Sequence, residues 1–264
     1  PCAIAPVLID DHRSADKKVL AFTRDYNVSL INMEGGLEWQ FPVEELPVSG
    51  VFRVDLFNNG KYQYLYLGRQ KIHLIALNGQ YVNGWPLQLK HSAAGKVSLF
   101  DYDRNGNYRI VYQDDNHILR NVNLRGEMVI GWQEPSPGSP LRTSMEHFRI
   151  GDKDFLVGLD ARGRPHILNR RGEYRSADDL NVLAAPQSTV AGIESESLKG
   201  FGLLDINGMF RVIQTDGPVV DHDVLRFNTK TQLLGITGSQ MTQQLVFIDE
   251  GKVKAYNQKL ELTG

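Results

Sequence analysis

A glycine that recurs every 44–47 residues constrains this sequence more than any other feature. Each one follows a short run of alternating apolar and polar residues, and so marks a turn after a strand. Trp39, Trp85 and Trp132 recur at a similar period, with spacings of 46 and 47 residues. Internal repeats of this length are typical of arrays of small, identical structural units. The recurring glycines are Gly35, Gly79, Gly126, Gly172 and Gly217.

The second unit shows the internal pattern most clearly. Residues 51–56, 62–67 and 71–77 are rich in aromatic and β-branched side chains, and each is predicted as a strand. Asn58-Asn59-Gly60 separates the first two, and these residue types tolerate the positive φ of tight turns. An outer segment around Trp85-Pro86 follows, where proline suits an edge strand. Each unit is therefore predicted to form a four-stranded sheet.

Six such units fill the chain, because 264 residues divided by six gives 44 per unit. We therefore predict an all-β, six-bladed β-propeller that forms a single domain over residues 1–264. The last unit has only three recognisable strands, so residues 1–5 are predicted to supply its outer strand and close the ring. The predicted blades span approximately residues 5–48, 49–94, 95–141, 142–188, 189–231 and 232–264.

Composition excludes several classes of protein. Lys and Arg number 29 and Asp and Glu number 31, so the formal net charge of -2 argues against a nucleic-acid partner. No apolar run is long enough for a transmembrane segment. Cys2, the one cysteine, excludes an internal disulfide and a cysteine-based zinc cluster. The chain starts Pro1-Cys2, which leaves open whether a processed or truncated segment precedes it, and Cys2 is interpreted as an ordinary thiol.

One loop has the pattern of a metal site. Asp101, Asp103, Asn105 and Asn107 alternate around Gly106, and their side-chain oxygens could converge on Ca²⁺. No acidic residue follows where a further ligand would help. Asp and Asn are also common turn residues, so a plain β-turn is the favoured alternative. No other cofactor is expected.

Three further groups are weaker candidates. Residues 10–13, with the sequence Asp-Asp-His-Arg, crowd a turn and are interpreted as a solvated loop rather than an acid–base site. Asp221-His222-Asp223 could bind a metal weakly. Tyr62, Tyr64 and Tyr66 alternate on one strand face; packing between sheets is favoured over stacking on a sugar. No nucleophile elbow, phosphate-binding loop or HExxH pair is present.

Short motifs also resemble known families. Residues 36–40, Gly-Leu-Glu-Trp-Gln, and 84–87, Gly-Trp-Pro-Leu, resemble the repeat ends of quinoprotein-dehydrogenase-like propellers. Residues 101–107, Asp-Tyr-Asp-Arg-Asn-Gly-Asn, are similar to the loop of FG-GAP-type propeller repeats. The resemblance implies a periplasmic or extracellular binding platform. It does not extend to the dehydrogenases, which usually have eight blades and a vicinal cysteine pair.

The sequence thus predicts a non-catalytic binding or scaffold propeller with a protein or carbohydrate partner, and the resemblance implies a location at the cell envelope. The oligomeric state stays open. The alternative is a metal-dependent hydrolase of the six-bladed lactonase type, with its site at the central channel. That function would need Asp, Glu or Asn side chains from different units to meet at one point.

Overall fold

The computed structural model describes residues 1–14, 16–175, 180–195, 199–215, 219–228, 230–237, 243–257 and 261–264, without the side chains of 219–225. Within these ranges the chain forms 21 β-strands in six antiparallel sheets, and no helix. The same residues include no helix that is long and apolar enough to cross a membrane.

The chain divides into two compact units, Pro1–Ile130 and Gly131–Gly264. The first holds three sheets of consecutive strands. Sheet 1 consists of β1 (Val7–Asp10), β2 (Lys17–Thr23), β3 (Asn27–Asn32) and β4 (Leu37–Pro42). Sheet 2 consists of β5 (Val51–Val54), β6 (Gln63–Leu67), β7 (Lys71–Ala76) and β8 (Leu87–Gln88). Sheet 3 consists of β9 (Ala93–Phe100), β10 (Arg109–Asp114) and β11 (Leu119–Asn123).

The second unit repeats this arrangement with three more sheets. Sheet 4 consists of β12 (Glu146–Ile150), β13 (Lys153–Leu159) and β14 (Pro165–Leu168). Sheet 5 consists of β15 (Ala191–Glu194), β16 (Lys199–Leu204), β17 (Met209–Gln214) and β18 (Val219–Arg226). Sheet 6 consists of β19 (Gln232–Thr237), β20 (Gln244–Asp249) and β21 (Lys252–Tyr256).

The cores lie between neighbouring sheets. In the first unit every residue of β6 is buried, because its two faces meet different sheets. Tyr64 and Tyr66 pack with Phe22 of sheet 1, whereas Leu65 and Leu67 belong to a cluster shared with sheet 3. Tyr64 and Tyr66 therefore pack between sheets, whereas the ring of Tyr62 lies under the Arg53 guanidinium, 4.4 Å from ring centroid to Cζ. Burial on both faces explains why this strand reads as an almost continuous run of large side chains.

The second unit is built in the same way. Phe155 of sheet 4 packs edge-on against Phe201 of sheet 5, with ring centroids 5.2 Å apart. Phe210, on a neighbouring strand of sheet 5, packs edge-on against Phe247 of sheet 6 at 5.7 Å. Sheet 5 thus contributes to one apolar cluster on each side.

The prediction of a ring closed by the N-terminal strand is wrong. The structure has six separate sheets rather than a closed six-bladed ring, and residues 1–5 do not complete the last one. Cys2 instead forms a bridge with Thr23 in sheet 1, and the Ala3 amide donates to the Phe22 carbonyl at 2.7 Å. The N-terminal residues therefore extend the pairing of β2.

The chain itself completes the outer edge of sheet 6. Leu262 bridges to Tyr256, and the Thr263 amide donates to the Ala255 carbonyl at 2.8 Å. Asn257 Oδ1 accepts the Glu261 amide at 3.0 Å, and its Nδ2 donates to Glu261 Oε2 at 2.9 Å. The outer position predicted for residues 1–5 is thus held by the C-terminal segment, residues 261–264.

Candidate functional site

The loop predicted to bind calcium is a hydrogen-bonded turn. Asp101 accepts the Asn105 amide on Oδ1 and the Gly106 amide on Oδ2, both at 3.0 Å. Asn105 Oδ1 accepts the Asn107 amide at 3.0 Å. Asp103 is exposed at the loop surface. Both carboxylate oxygens of Asp101 thus bind the backbone of their own loop, and calcium binding by residues 101–107 stays a prediction.

The corresponding loop of sheet 2 has the same geometry, although it lacks the alternating acidic pattern. Asp55 accepts the Asn59 amide on Oδ1 at 3.1 Å and the Gly60 amide on Oδ2 at 2.8 Å. Asn59 Oδ1 accepts the Lys61 amide at 3.0 Å. The two loops therefore share a role as turns between the first and second strands of their sheets.

These two loops lie side by side. The Asp55 amide donates to the Tyr108 hydroxyl at 3.1 Å, which joins sheet 2 to sheet 3. A Cβ placed on Gly106 would come within 2.7 Å of the Asn58 side chain. Because Gly106 also has a φ of +78°, only glycine fits this contact without strain. The loops form one wall of a cleft.

This cleft, which we name the Arg109 cleft, has a volume of about 620 Å³ and lies between sheets 2 and 3 of the first unit. Turns at the same end of both sheets border it, and a size of several hundred Å³ is typical of binding sites. Its charged lining residues are Arg109 and Arg125. The remaining lining residues are polar or apolar: Leu56, Asn83, Gly84, Trp85, Leu87, Gly106, Asn107, Tyr108, Asn123 and Leu124.

Trp85 differs from the other two tryptophans of the repeat. The Trp39 indole nitrogen donates to the Leu77 carbonyl at 2.9 Å, and its ring lies where a Cβ on Gly79 would project. Trp132 covers Gly172 in the same manner. Trp85, in contrast, lines the cleft. In this repeat the tryptophan borders the cleft and also packs against the core.

Buried acidic residues have a structural role at the opposite ends of the sheets. Asp114 Oδ1 accepts the amides of Asn116 and Ile118 at 2.9 and 3.0 Å, and Oδ2 accepts Arg120 Nε at 2.8 Å. Burial raises the pKa of Asp114, but these amides and the guanidinium outweigh burial and hold the pKa below its usual value. The carboxylate therefore stabilises the hairpin between β10 and β11.

The same arrangement recurs in the second unit. Asp160 and Asp205 each accept two amides of the following turn on Oδ1. Asp205 Oδ2 accepts Arg211 Nε at 2.9 Å, and Asp249 accepts Lys254 Nζ at 2.6 Å. These aspartates lie at the ends of separate sheets.

In sheet 2 a glutamate from outside the hairpin accepts the turn amides that an aspartate accepts in the other sheets. Gly68 replaces the aspartate, and Glu45 from the preceding segment occupies the space beside it. Glu45 accepts the amides of Gln70 and Lys71, both at 2.9 Å, and its Oε2 lies 3.4 Å from His73 Nε2. Burial lowers the pKa of His73, and the Glu45 carboxylate opposes this effect. Sequence spacing could not show this replacement, since Glu45 lies 28 residues from His73.

The turn at residues 10–13 is not a fully solvated loop. Asp11 is 2% exposed and accepts Lys18 Nζ at 2.6 Å and Arg13 Nη2 at 2.9 Å. Lys18 Nζ also lies 2.5 Å from Glu38 Oε1. The Arg13 hydrogen bonds, together with Lys18, overcome burial and hold the pKa of Asp11 well below its usual value. The group forms an ion-pair network that links β1, β2 and β4.

Two sequence predictions of metal chemistry remain without a test. The side chains of Asp221, His222 and Asp223 lie outside the described residues. In the part of the chain whose side chains are described, no three His, Cys, Asp or Glu side chains gather as a metal site would require. The hydrolase alternative, with converging carboxylates, stays a prediction.

A second, smaller cleft lies in the second unit. It has a volume of about 380 Å³ and is bordered by the turn after β16 and by residues 180–183. Leu183 and Ile206 are exposed there, and Arg211 in its lining is paired with Asp205. Residues 176–179, next to this wall, are outside the described ranges. The Arg109 cleft is therefore the better-defined candidate.

Comparison with known proteins shows that the fold of this chain is similar to solved structures. No protein-family model matches the sequence, and no curated protein matches it either. A crystal structure of BBS1N in complex with ARL6DN, soaked with lead, is similar with a TM-score of 0.60 and 12% identity, over 99% of this chain and 80% of that chain. A mercury-soaked crystal of the same complex is similar with a TM-score of 0.62 and 12% identity, over 99% of this chain and 79% of that chain.

BamB from Moraxella catarrhalis is similar with a TM-score of 0.52 and 15% identity, over 93% of this chain and 66% of that chain. Both neighbours are β-propeller proteins. Similarity at such low identity concerns the fold alone. It supports an all-β repeat fold of the propeller type, and it does not single out the quinoprotein or FG-GAP family.

Proposed function

We propose that this chain is a non-catalytic protein-binding module and that the Arg109 cleft is its binding site. The observation that carries the proposal is the composition of the cleft. Two arginines, exposed amides and an aromatic ring converge from loops of two sheets, and arginine and tryptophan are enriched where proteins bind one another. Loops held on a rigid scaffold are common sites of recognition.

The roles of the buried acidic groups support a binding function over a catalytic one. Asp114, Asp160 and Asp205 bind backbone amides of their own hairpins, and an arginine also binds Asp114 and Asp205. Perturbed carboxylates of this kind stabilise structure as readily as they mark active sites. Among the neighbours, BBS1N was crystallised in complex with ARL6DN, so a fold of this kind can bind a protein. A periplasmic or extracellular location, implied by the sequence resemblance, is part of the proposal.

Site-specific photo-cross-linking tests this function. A benzoylphenylalanine at Asn107, which is exposed in the cleft, should cross-link a discrete protein in extract from the source cells. The same probe at Gln70, exposed at the opposite end of sheet 2, serves as the matched control. Equal cross-linking from both positions, or none from Asn107, would contradict a protein-binding role for the cleft.

A further inference from the structure

We propose that the Arg109 cleft recognises an extended acidic peptide segment of its partner. This inference rests on the proposed function and names the chemistry of the partner. It follows from the charge of the cleft, from the amides on its walls and from its apolar surface.

The charge of the cleft is positive. Arg109 and Arg125 are its charged lining residues, and neither belongs to an ion pair among the residues that the structure describes. Arg109 Nη1 donates to the Tyr108 carbonyl at 3.1 Å and to the Asn107 carbonyl at 3.4 Å. These bonds orient the guanidinium and leave its charge uncompensated. Two carboxylates of a ligand could each form a charge-assisted hydrogen bond here.

Neighbouring acidic side chains do not cancel this charge by direct contact. The Asp55 carboxylate accepts amides of its own loop at 2.8 and 3.1 Å, and the Asp101 carboxylate accepts amides of its own loop at 3.0 Å. Both carboxylates are therefore bound by backbone amides of their own turns and not by the two arginines that line the cleft.

The other lining residues fit a peptide. Asn83 and Asn107 are exposed, and a side-chain amide can donate to and accept from a peptide group. Trp85, Leu56 and Leu124 supply an apolar surface for an intervening side chain of the ligand. A long polyanion fits less well, because nucleic acids require many cationic contacts and this chain carries a net charge of -2.

Binding of a defined probe tests the inference. We would measure fluorescence anisotropy of a fluorescein-labelled octapeptide, Glu-Asp-Leu-Glu-Ser-Asp-Leu-Glu, at low ionic strength, where charge pairs are least screened. The matched peptide replaces Glu by Gln and Asp by Asn. We expect the acidic peptide to bind at least about tenfold more tightly, which corresponds to one good charge pair.

The variants separate the cleft from general electrostatics. Arg109→Gln with Arg125→Gln should weaken binding of the acidic peptide by at least about tenfold. Arg24→Gln removes the same charge from an exposed position outside the cleft and should leave binding unchanged. If the double variant does not fold, Arg125→Gln alone should weaken binding, since Arg125 is exposed.

Three results would overturn the inference. The first is equal binding of the acidic and the amide peptide. The second is unweakened binding of the acidic peptide both by Arg125→Gln and by the double variant. The third is no binding of the acidic peptide at millimolar concentration. A heparin-derived hexasaccharide that bound more tightly than the peptide, with the same dependence on arginine, would assign the cleft to a sulfated glycan. If one of these results is obtained and Asn107 still cross-links a discrete protein, the protein-binding function is retained and the acidic-peptide inference is rejected.

Discussion

Alanine at Gly79 should destabilise the protein more than alanine at Gly35, although both glycines hold the same position in the repeat. Gly35 has a φ of +85° and Gly79 a φ of +80°. A Cβ on Gly79 would lie 2.7 Å from Trp39 Cδ2, whereas a Cβ on Gly35 would meet nothing within 4 Å. Gly35→Ala therefore measures the backbone cost alone.

The two costs can be worked out separately. Left-handed backbone costs a residue with a Cβ roughly 1–2 kcal/mol. Overpacking against a ring that cannot move freely adds about 1–3 kcal/mol. Trp39 is held by its hydrogen bond to the Leu77 carbonyl, so the ring has little freedom to shift. We expect Gly35→Ala to cost roughly 1–2 kcal/mol and Gly79→Ala about 2–5 kcal/mol.

Urea denaturation followed by far-UV circular dichroism would give the free energy of unfolding of each variant. A double-mutant cycle with Trp39→Ala isolates the contact, because without the ring Gly79→Ala should cost no more than Gly35→Ala. Equal costs in the natural background would refute the reasoning, as would an unchanged cost of Gly79→Ala when Trp39 is absent.

Four further changes have defined outcomes. Asp114→Asn, which removes the carboxylate that the buried Arg120 binds, should cost about 3 kcal/mol at neutral pH. Since the folded pKa of Asp114 is lowered, the difference in urea midpoint from the natural chain should shrink as pH falls below about 4. Burial lowers the pKa of His73, so on acidification the unfolded chain is protonated at a higher pH than the folded chain. The free energy of unfolding should therefore decrease as the pH is lowered from 7 to 5. His73→Gln should flatten that dependence in the same denaturation assay. Asp101→Ala should lower the melting temperature in EDTA as much as in millimolar calcium, because both carboxylate oxygens of Asp101 accept backbone amides. A decrease in melting temperature seen only in calcium would instead support a calcium loop. Asn257→Ala should accelerate hydrogen exchange in β21 without affecting sheet 1, and exchange that increased at residues 1–3 instead would favour N-terminal completion of the last sheet.

The sequence predicts the succession of strands and turns but not the number of strands in every sheet, since sheets 3 and 4 have three strands where the repeat pattern predicts four. Strand patterns recur with the glycine ladder because each sheet has the same order of strands and turns. The prediction for the last sheet is wrong because this unit lacks the recurring glycine: Leu260 holds the position that Gly126 holds in sheet 3. Asn257 and Glu261 preserve the spacing of Asn123 and Glu127, whose side chains clamp the equivalent turn of sheet 3. That spacing was the signal to follow.

The candidate site was harder to predict, because it depends on contacts between repeats. Tyr108 binds the Asp55 amide across 53 residues, and nothing local to either residue indicates the contact. In the sequence, Arg109 is only the residue that stands where a further acidic ligand of the 101–107 loop would help. Its role as a lining residue follows from the position of two neighbouring loops. The acidic pattern of residues 101–107 attracted attention because turn-forming and metal-binding residues are chemically alike.

The most direct test of protein binding at the Arg109 cleft is hydrogen exchange of this chain with and without its partner. The partner is the protein that cross-links to Asn107, purified and added to this chain. We predict protection in the loops at residues 55–60, 101–109 and 123–125, which border or line the Arg109 cleft, and loss of that protection in Arg109→Gln with Arg125→Gln. Protection at the opposite turns, such as residues 68–71, or protection that survives removal of both arginines, would contradict the account.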